Sequence, residues 1–454
     1  MSQKTMINDL TQGSVTRQLI YFSIPFVLSN LLQTIYNIVD MIIIGQFVGS
    51  VGLSAVSIGA DLIQLMTMLC AGFATAGQII ISQYVGAGDR DNISKTIGSM
   101  FTLMLSAAIV LSVICCACAG PLLRLENTPD EAWHEAMMYT VTCYIGMFFI
   151  FGYNIVSAIL RGMGDGKRPL VFIAIASVVN LILDLVFVAG MGLSAFGAAL
   201  ATVLAQGVSF IVSLVYLYRR REAFGFDFKP ASFRPHRVQA VQLCKMGAPL
   251  ALQYGAIMIS VIIVNAYVNA YGVVVSAVNG VGGKLRNVCS IVIMSLSTAA
   301  STMCGQNFGA KRYDRVRSIV YISLSINIVY IILLSALILI FPEAFFKAFT
   351  SDPDVIAMAA TYMPVAVVTF IASATMCPYN SVINGLGYAK LSMIIGLLDS
   401  IVARILLAVI MGHFMGLTGY WYGNALAGFV TTILAAAYFY SGRWKTRKLL
   451  VEER

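Results

Sequence analysis

The sequence predicts an all-α integral membrane protein: twelve transmembrane helices forming two parallel six-helix repeats with a central cleft. Three observations carry that prediction, namely the composition, the spacing of the apolar runs and the similarity of the chain's two halves.

Of 454 residues, 59% are hydrophobic and only 11% charged, whereas a soluble chain carries about a quarter charged residues. A helix needs about 20 apolar residues to cross roughly 30 Å of hydrocarbon. Twelve such runs start near residues 16, 52, 93, 132, 168, 194, 242, 275, 315, 357, 390 and 416. Basic residues orient them, because Lys and Arg accumulate in cytoplasmic connections. With a cytoplasmic N-terminus, alternate connections and the tail collect 24 of the 29 basic residues, from Lys4 and Arg17 through Arg161, Lys167 and Arg168 to Lys448 and Arg454. The opposite face keeps only Arg124 and Lys347. Both termini are therefore expected in the cytoplasm, with the chain in the cell membrane.

The net charge of +9 is mostly this asymmetry. Nucleic-acid binding would need bases interleaved with aromatic residues on a folded surface, and no such partner is expected. The opening "MSQKTMINDLTQGSVTRQ" lacks the apolar core and cleavage site of a signal peptide, so the first span is expected to stay as an anchor. Nine cysteines lie in or beside apolar runs without a metal-type pairing, and read as small packing residues. Trp133, Trp421 and Trp444 fall near span ends, where an aromatic belt is expected.

The two halves align. "SQYVGAGDRD" (82–91) resembles "GQNFGAKRYD" (305–314), and "LRGMGDGK" (160–167) resembles "INGLGYAK" (383–390). Pro25 has a counterpart in Pro249, and Gly197 in Gly419. The landmarks keep one order and an offset of about 223 residues, which is the signature of a tandem duplication. Six spans per copy make the copies parallel. The expected organisation is an N-terminal lobe over 1–222, a cytoplasmic linker over 223–241, a C-terminal lobe over 242–442 and a basic tail over 443–454.

Seven charged residues remain inside the spans: Asp40, Asp61, Asp184, Lys284, Arg286, Asp399 and Arg404. A charge in hydrocarbon costs several kcal/mol, so each must be paired, wet or protonated. At about 1.5 Å per residue, Asp40 on the first span, Asp184 on the fifth and Thr202 on the sixth reach similar depths, about 10 Å below the outer surface. Helical spacing makes a stripe of Gln33, Tyr36, Asn37 and Asp40, a second of Ser177, Asn180 and Asp184, and a third of Thr202, Gln206 and Ser209. Stripes of this kind face one another or a wet cavity, since lipid offers them no partner. The N-terminal copy thus gathers carboxylates and neutral oxygens with no intramembrane base. Burial and a neighbouring like charge both disfavour a charged carboxylate, so the pocket invites a mobile proton or sodium ion; a polar network that simply locks the helices is the alternative use. Asp399 and Arg404 lie about 140° apart on an α-helix and are expected not to pair with each other.

"SIPFVLSNLLQTIYNIVDMIIIGQFVG" in the first span, "NLILDLVFV" in the fifth, the "GQNFGA" element and the duplication together resemble the multidrug and toxic compound extrusion (MATE) transporters, and among them the DinF-like branch. The resemblance covers nearly the whole chain. It implies export of small organic compounds, often cationic and aromatic, in exchange for protons or sodium, by alternating access of two lobes. It also implies a cation site at Asp40, Asn180, Asp184 and Thr202. The branch that uses acids in the C-terminal lobe is a poorer match, because the seventh span offers Asn265 and the tenth has no carboxylate.

Asp61 and Lys284 are expected close together as a gate, or Lys284 and Arg286 meet an anionic or zwitterionic substrate; a flippase for a lipid-linked anion is the alternative function. Pro25 interrupts the first helix's ladder and is either a moving hinge or a fixed kink. "GMGDGKR" (162–168) lacks the spacing of a phosphate loop and reads as a tight cytoplasmic turn. No catalytic constellation, metal site or cofactor is expected beyond the coupling ion; the partners are the substrate and the bilayer, for a monomeric chain.

Overall fold

The computed structural model of the protein describes residues 8–447 and 450. Lys4, Lys448 and Arg454 of the expected cytoplasmic set lie outside the described residues. Every span is present. They are α1 (Val15–Phe47), α2 (Gly49–Ala87), α3 (Arg90–Ala117), α4 (Asp130–Ile145 continued as Met147–Gly162), α5 (Lys167–Gly190), α6 (Ser194–Arg219), α7 (Arg237–Asn269), α8 (Val273–Gly309), α9 (Tyr313–Ile340), α10 (Ala359–Gly385), α11 (Ala389–Met415) and α12 (Leu417–Tyr440). Each starts within about five residues of its apolar run. The 39 residues of α2 extend for roughly 58 Å, far beyond the hydrocarbon core. Large apolar side chains stay exposed along α3 (Ile109, Val113, Ile114) and α9 (Val329, Ile332, Leu333). In water such rows would be a liability, and in a bilayer they are the outer face.

α4 bends by 46° between its two halves. The break falls at Gly146, where an added Cβ would sit 2.3 Å from the Val203 side chain of α6, so the close approach of two helices requires glycine there.

The duplication is written into the backbone as well as the sequence. Positive φ angles recur 223 residues apart at Gly49 and Gly272 (+79° and +110°), at Gly88 and Lys311 (+73° and +58°), and at Gly164 and Gly387 (+82° and +70°). Gly164 lies in the tight turn expected at 162–168. There Asp165 accepts from the Lys167 and Arg168 backbone N–H groups at 3.1 and 3.3 Å and pairs with the Arg168 guanidinium at 3.0 Å. Burial pushes the Asp165 carboxyl up, and Arg168 and those N–H groups pull against it.

The chain forms two compact units, which cut it differently from the lobes expected at 222 and 242. One is built mainly on Leu28–Ala251, the other on Leu10–Val27 together with the chain from Leu252 onward. α1 and α7 therefore each change unit within about three residues of their internal prolines, Pro25 and Pro249. The second unit shows how its borrowed segment is held. Leu10 N–H donates to Gln306 Oε1 at 3.0 Å, Asn307 Nδ2 donates to the Leu10 carbonyl at 3.1 Å, and the Arg315 guanidinium reaches the Gly13 carbonyl at 2.6 Å and Gln18 Oε1 at 2.9 Å. In the first unit, the matching positions Tyr84 and Asn92 bond to Gln242 and Gln239, both in the first two turns of α7. The repeated "GQNFGA" and "SQYVGA" elements thus hold the start of each copy's first helix, from the chain before α1 and from the first turns of α7.

Two expectations are corrected. Asp399 and Arg404 do pair, at 3.1 Å, because residues Leu398–Arg404 form a π-helical segment of α11. Its i→i+5 hydrogen bonds widen the turn and bring positions five apart onto one face. Trp421 and Trp444 are not at the lipid interface: Trp421 is 3% and Trp444 0% exposed. Trp444 donates to the Phe439 carbonyl at 2.9 Å and stacks on its ring.

Candidate cation site

α1, α5 and α6 bring the polar stripes together inside the first unit. On α5 all three predicted side chains are buried: Ser177 at 8%, Asn180 at 4% and Asp184 at 1% exposure. The Ser177 hydroxyl donates to the Ile173 carbonyl one turn back at 2.8 Å. Immediately after Asp184 the helix continues as a π-segment, Leu185–Gly190, and such segments are frequent at functional sites. On α6, Thr202 accepts from Asn180 Nδ2 at 3.5 Å. Ser209 is spent on packing, donating to the Phe172 carbonyl at 3.1 Å.

The α1 stripe divides. Tyr36 and Asp40, one turn apart, are half-buried on the site face, whereas Gln33 and Asn37 are exposed. The carboxyl groups of Asp40 and Asp184 lie within hydrogen-bonding reach of each other. Two carboxylates offer only acceptors, so a bond between them requires a shared proton. Apart from that contact, Asp40 Oδ1 and both Asp184 oxygens are buried without a hydrogen-bond partner among the described residues. Among the described residues no lysine or arginine acts on either carboxyl.

Below the acids, Tyr36, Ser177, Asn180, Thr202 and Gln206 line a small cavity with room for about one water-sized occupant. The Gln206 carbonyl oxygen is buried with no partner among the described residues. The cavity itself presents hydroxyl and amide groups, and the acid pair stands outside its lining; oxygen donors of this kind suit a proton or a hard monovalent cation.

Three neighbours were not anticipated. Tyr139 and Cys143 on α4 stand within electrostatic range of Asp40, and Tyr153 stands beside Tyr36. Tyr139 and Cys143 are one helical turn apart, and that i, i+4 spacing on an apolar span was the available signal. Of the remaining candidates, Asp61 in the first unit and Lys284 in the second are exposed, and Arg286 in the second is half-buried.

The MatE family model matches residues 25–186 and 249–410, one segment in each copy. A probable multidrug resistance protein, YpnP of Bacillus subtilis, is 28% identical over 447 residues, covering 98% of this chain and 99% of its own length. A probable multidrug resistance protein, NorM of Thermotoga maritima, is 23% identical over 458 residues, with 97% and 95% covered. Among solved structures, a MOP superfamily transporter from Pyrococcus furiosus superposes with a TM-score of 0.91 at 21% identity, covering 99% of this chain and 100% of that one. An outward-facing multidrug resistance MATE family transporter gives a TM-score of 0.91 at 21% identity, with 98% and 100% covered.

Proposed function

The chain belongs to the MatE (multidrug and toxic compound extrusion) family of multi-pass membrane transporters, and on that premise we propose that it exports small organic compounds in exchange for protons or sodium by alternating access. Asp40, Asn180, Asp184 and Thr202 hold the coupling ion. The observation that supports this reading most is the unneutralised acid pair: the half-buried Asp40 and the buried Asp184 carboxyls lie in reach of each other with no built-in cation among the described residues.

A pair of this kind binds its counterion differently in two states of the surrounding helices, and only a differential affinity can drive a conformational change. With the ion bound, the charge whose burial costs several kcal/mol is cancelled and the helices close around the site. When the ion leaves towards the cytoplasm, the acids demand a wetter environment and the site opens. Pro25, inside α1, is the proposed hinge for that movement. Relatives named for multidrug resistance and multidrug export support organic compounds, often cationic and aromatic, as the cargo. The protein sits in the cell membrane as a monomer with both termini cytoplasmic, and Asp61, Lys284 and Arg286 are proposed as gate or cleft residues.

The test is efflux of an aromatic amine in everted vesicles energised by either a pH or a sodium gradient. Asp40→Asn and Asp184→Asn each lower gradient-driven efflux by more than tenfold while the protein remains folded in the membrane. Undiminished efflux in both variants removes the coupling role, and no efflux of any tested amine by the native protein favours the flippase reading.

A further inference from the structure

We propose that Arg161, with Tyr153 and Ser157, forms a binding site for an anionic group within the first unit. This deepens the export reading and rests on it where it names a substrate class. By charge asymmetry Arg161 belongs to a cytoplasmic connection, but it occupies the last turn of the second half of α4. Side chains on a helix tilt toward its N-terminus, which here means up into the bundle. Its guanidinium lies in electrostatic range of Tyr153, two turns deeper on the same helix, and of Cys70 on α2, which is 1% exposed.

That environment leaves the cation without a partner. Among the described residues the Arg161 guanidinium has no ion pair and no hydrogen bond, its Nε is buried and unpartnered, and no carboxylate acts on it. The nearby bases differ: Arg168 pairs with Asp165 and Lys167 is exposed. One turn above Arg161, the Ser157 hydroxyl is also unpartnered apart from Tyr153, in a residue 2% exposed. Tyr153, one turn above that, donates to the Pro169 carbonyl at 3.4 Å and lies within hydrogen-bonding reach of the Ser157 hydroxyl. Positions 153, 157 and 161 share one helix face, so two hydroxyls and a planar fork of N–H donors converge. A guanidinium fork matches the paired oxygens of a carboxylate, sulfonate or phosphate, and leaving the buried Nε–H unmet is costly. At the corresponding position the second copy carries the neutral Asn384.

The chemistry of the lobe also limits what the anion belongs to. Tyr36 lies in range of Asp40 and Asp184 on one side and of Tyr153 on the other. The same lobe therefore presents an acid pair, two tyrosines and a guanidinium in succession, with about 12 Å along α4 between Tyr153 and Arg161. A compound with a cationic end, an aromatic body and an anionic end satisfies all three, whereas a free inorganic anion satisfies only the last.

The experiment measures binding to the purified, full-length protein in detergent, using an aromatic amine, its carboxylated analogue and inorganic sulfate. In Arg161→Gln, the preference for the carboxylated over the plain amine falls about tenfold, the size expected for a charge-assisted hydrogen bond, and in Ser157→Ala it falls by about threefold. If instead only sulfate binding depends on Arg161, the site stands with a free anion as its occupant. If neither depends on it in a folded variant, the proposal is overturned. Should Arg161→Gln fail to fold, Arg161→Lys decides: it keeps the charge and loses the fork, and an unchanged preference there also overturns the proposal. Failure of gradient-driven efflux for the plain amine would count against export while leaving the anion measurement intact.

Discussion

In the first copy, Asp40 and Asp184 face each other with no base in reach among the described residues; in the second, Asp399 meets Arg404 at 3.1 Å and Arg404 extends to Asn424 Oδ1 at 3.4 Å. The two pairs sit at different positions of the repeat. By the repeat offsets, Asp40 and Asp184 fall on Val264 and Leu407, while Thr202 falls on Asn424. The residue that in one copy meets Asn180 thus meets a guanidinium in the other. Elsewhere in the second copy, Asn279 donates to Asn265 at 2.9 Å. One copy leaves its acids to borrow a cation from solution, and the other supplies its cation covalently. A duplicated fold can therefore keep ion exchange in one half and a fixed structural pair in the other.

The largest effect that sharpens this contrast is on stability. Arg404→Met leaves Asp399, 4% exposed, as a buried charge without its partner, and removing one member of a buried pair costs about 3–5 kcal/mol. The double variant Asp399→Asn/Arg404→Met recovers most of that loss, because both charges are gone. Unfolding in mixed micelles measures both, and gradient-driven efflux by the double variant should persist. Loss of gradient dependence in that variant would mean that the second copy also couples, and the contrast would fail.

That pair also shows where the sequence stops being legible. Span positions, the duplication and the convergence of Asp40, Asn180, Asp184 and Thr202 follow from apolar length, repeat offset and the 3.6-residue period, which the helices obey. Asp399 and Arg404 were missed because the same period was applied to a stretch that is π-helical, and nothing in "LDSIVAR" announces a wider turn. Gln33 and Asn37 share a stripe with Tyr36 and Asp40 yet are exposed, since a stripe some 100° wide leaves its edge residues to be assigned by packing. The clamp of Arg315 on Leu10–Gln18 pairs residues about 300 apart, which periodicity cannot see, although the repeated "GQNFGA" element marked the place.

A smaller effect tests what the copies share. An alanine Cβ at Gly162 would lie 2.7 Å from the Gln78 carbonyl oxygen, and one at Gly385 would lie 2.6 Å from that of Ser301. Both neighbours are backbone, so the helices must separate, and overpacking of this kind costs about 1–3 kcal/mol. Gly162→Ala and Gly385→Ala should destabilise by similar amounts in the same unfolding measurement. A cost in one copy only would show that the inherited packing has diverged along with the charges.

The smallest effect comes from the helix-ending turns at Gly88 and Lys311, which hold φ at +73° and +58°. The first copy meets the left-handed conformation with glycine, and the second holds it with a lysine that is exposed. A side chain in that region costs about 1–2 kcal/mol from the crowding of Cβ against the backbone. No atom lies within 4 Å of a Cβ placed on Gly88, so Gly88→Ala isolates the backbone term and should lower stability by about 1 kcal/mol. Lys311→Ala keeps a Cβ already present and should change stability by no more than about 0.5 kcal/mol, as surface substitutions usually do. Equal costs at the two positions would mean that the turn tolerates a side chain in either copy, and that glycine at 88 answers to something other than its dihedral angle.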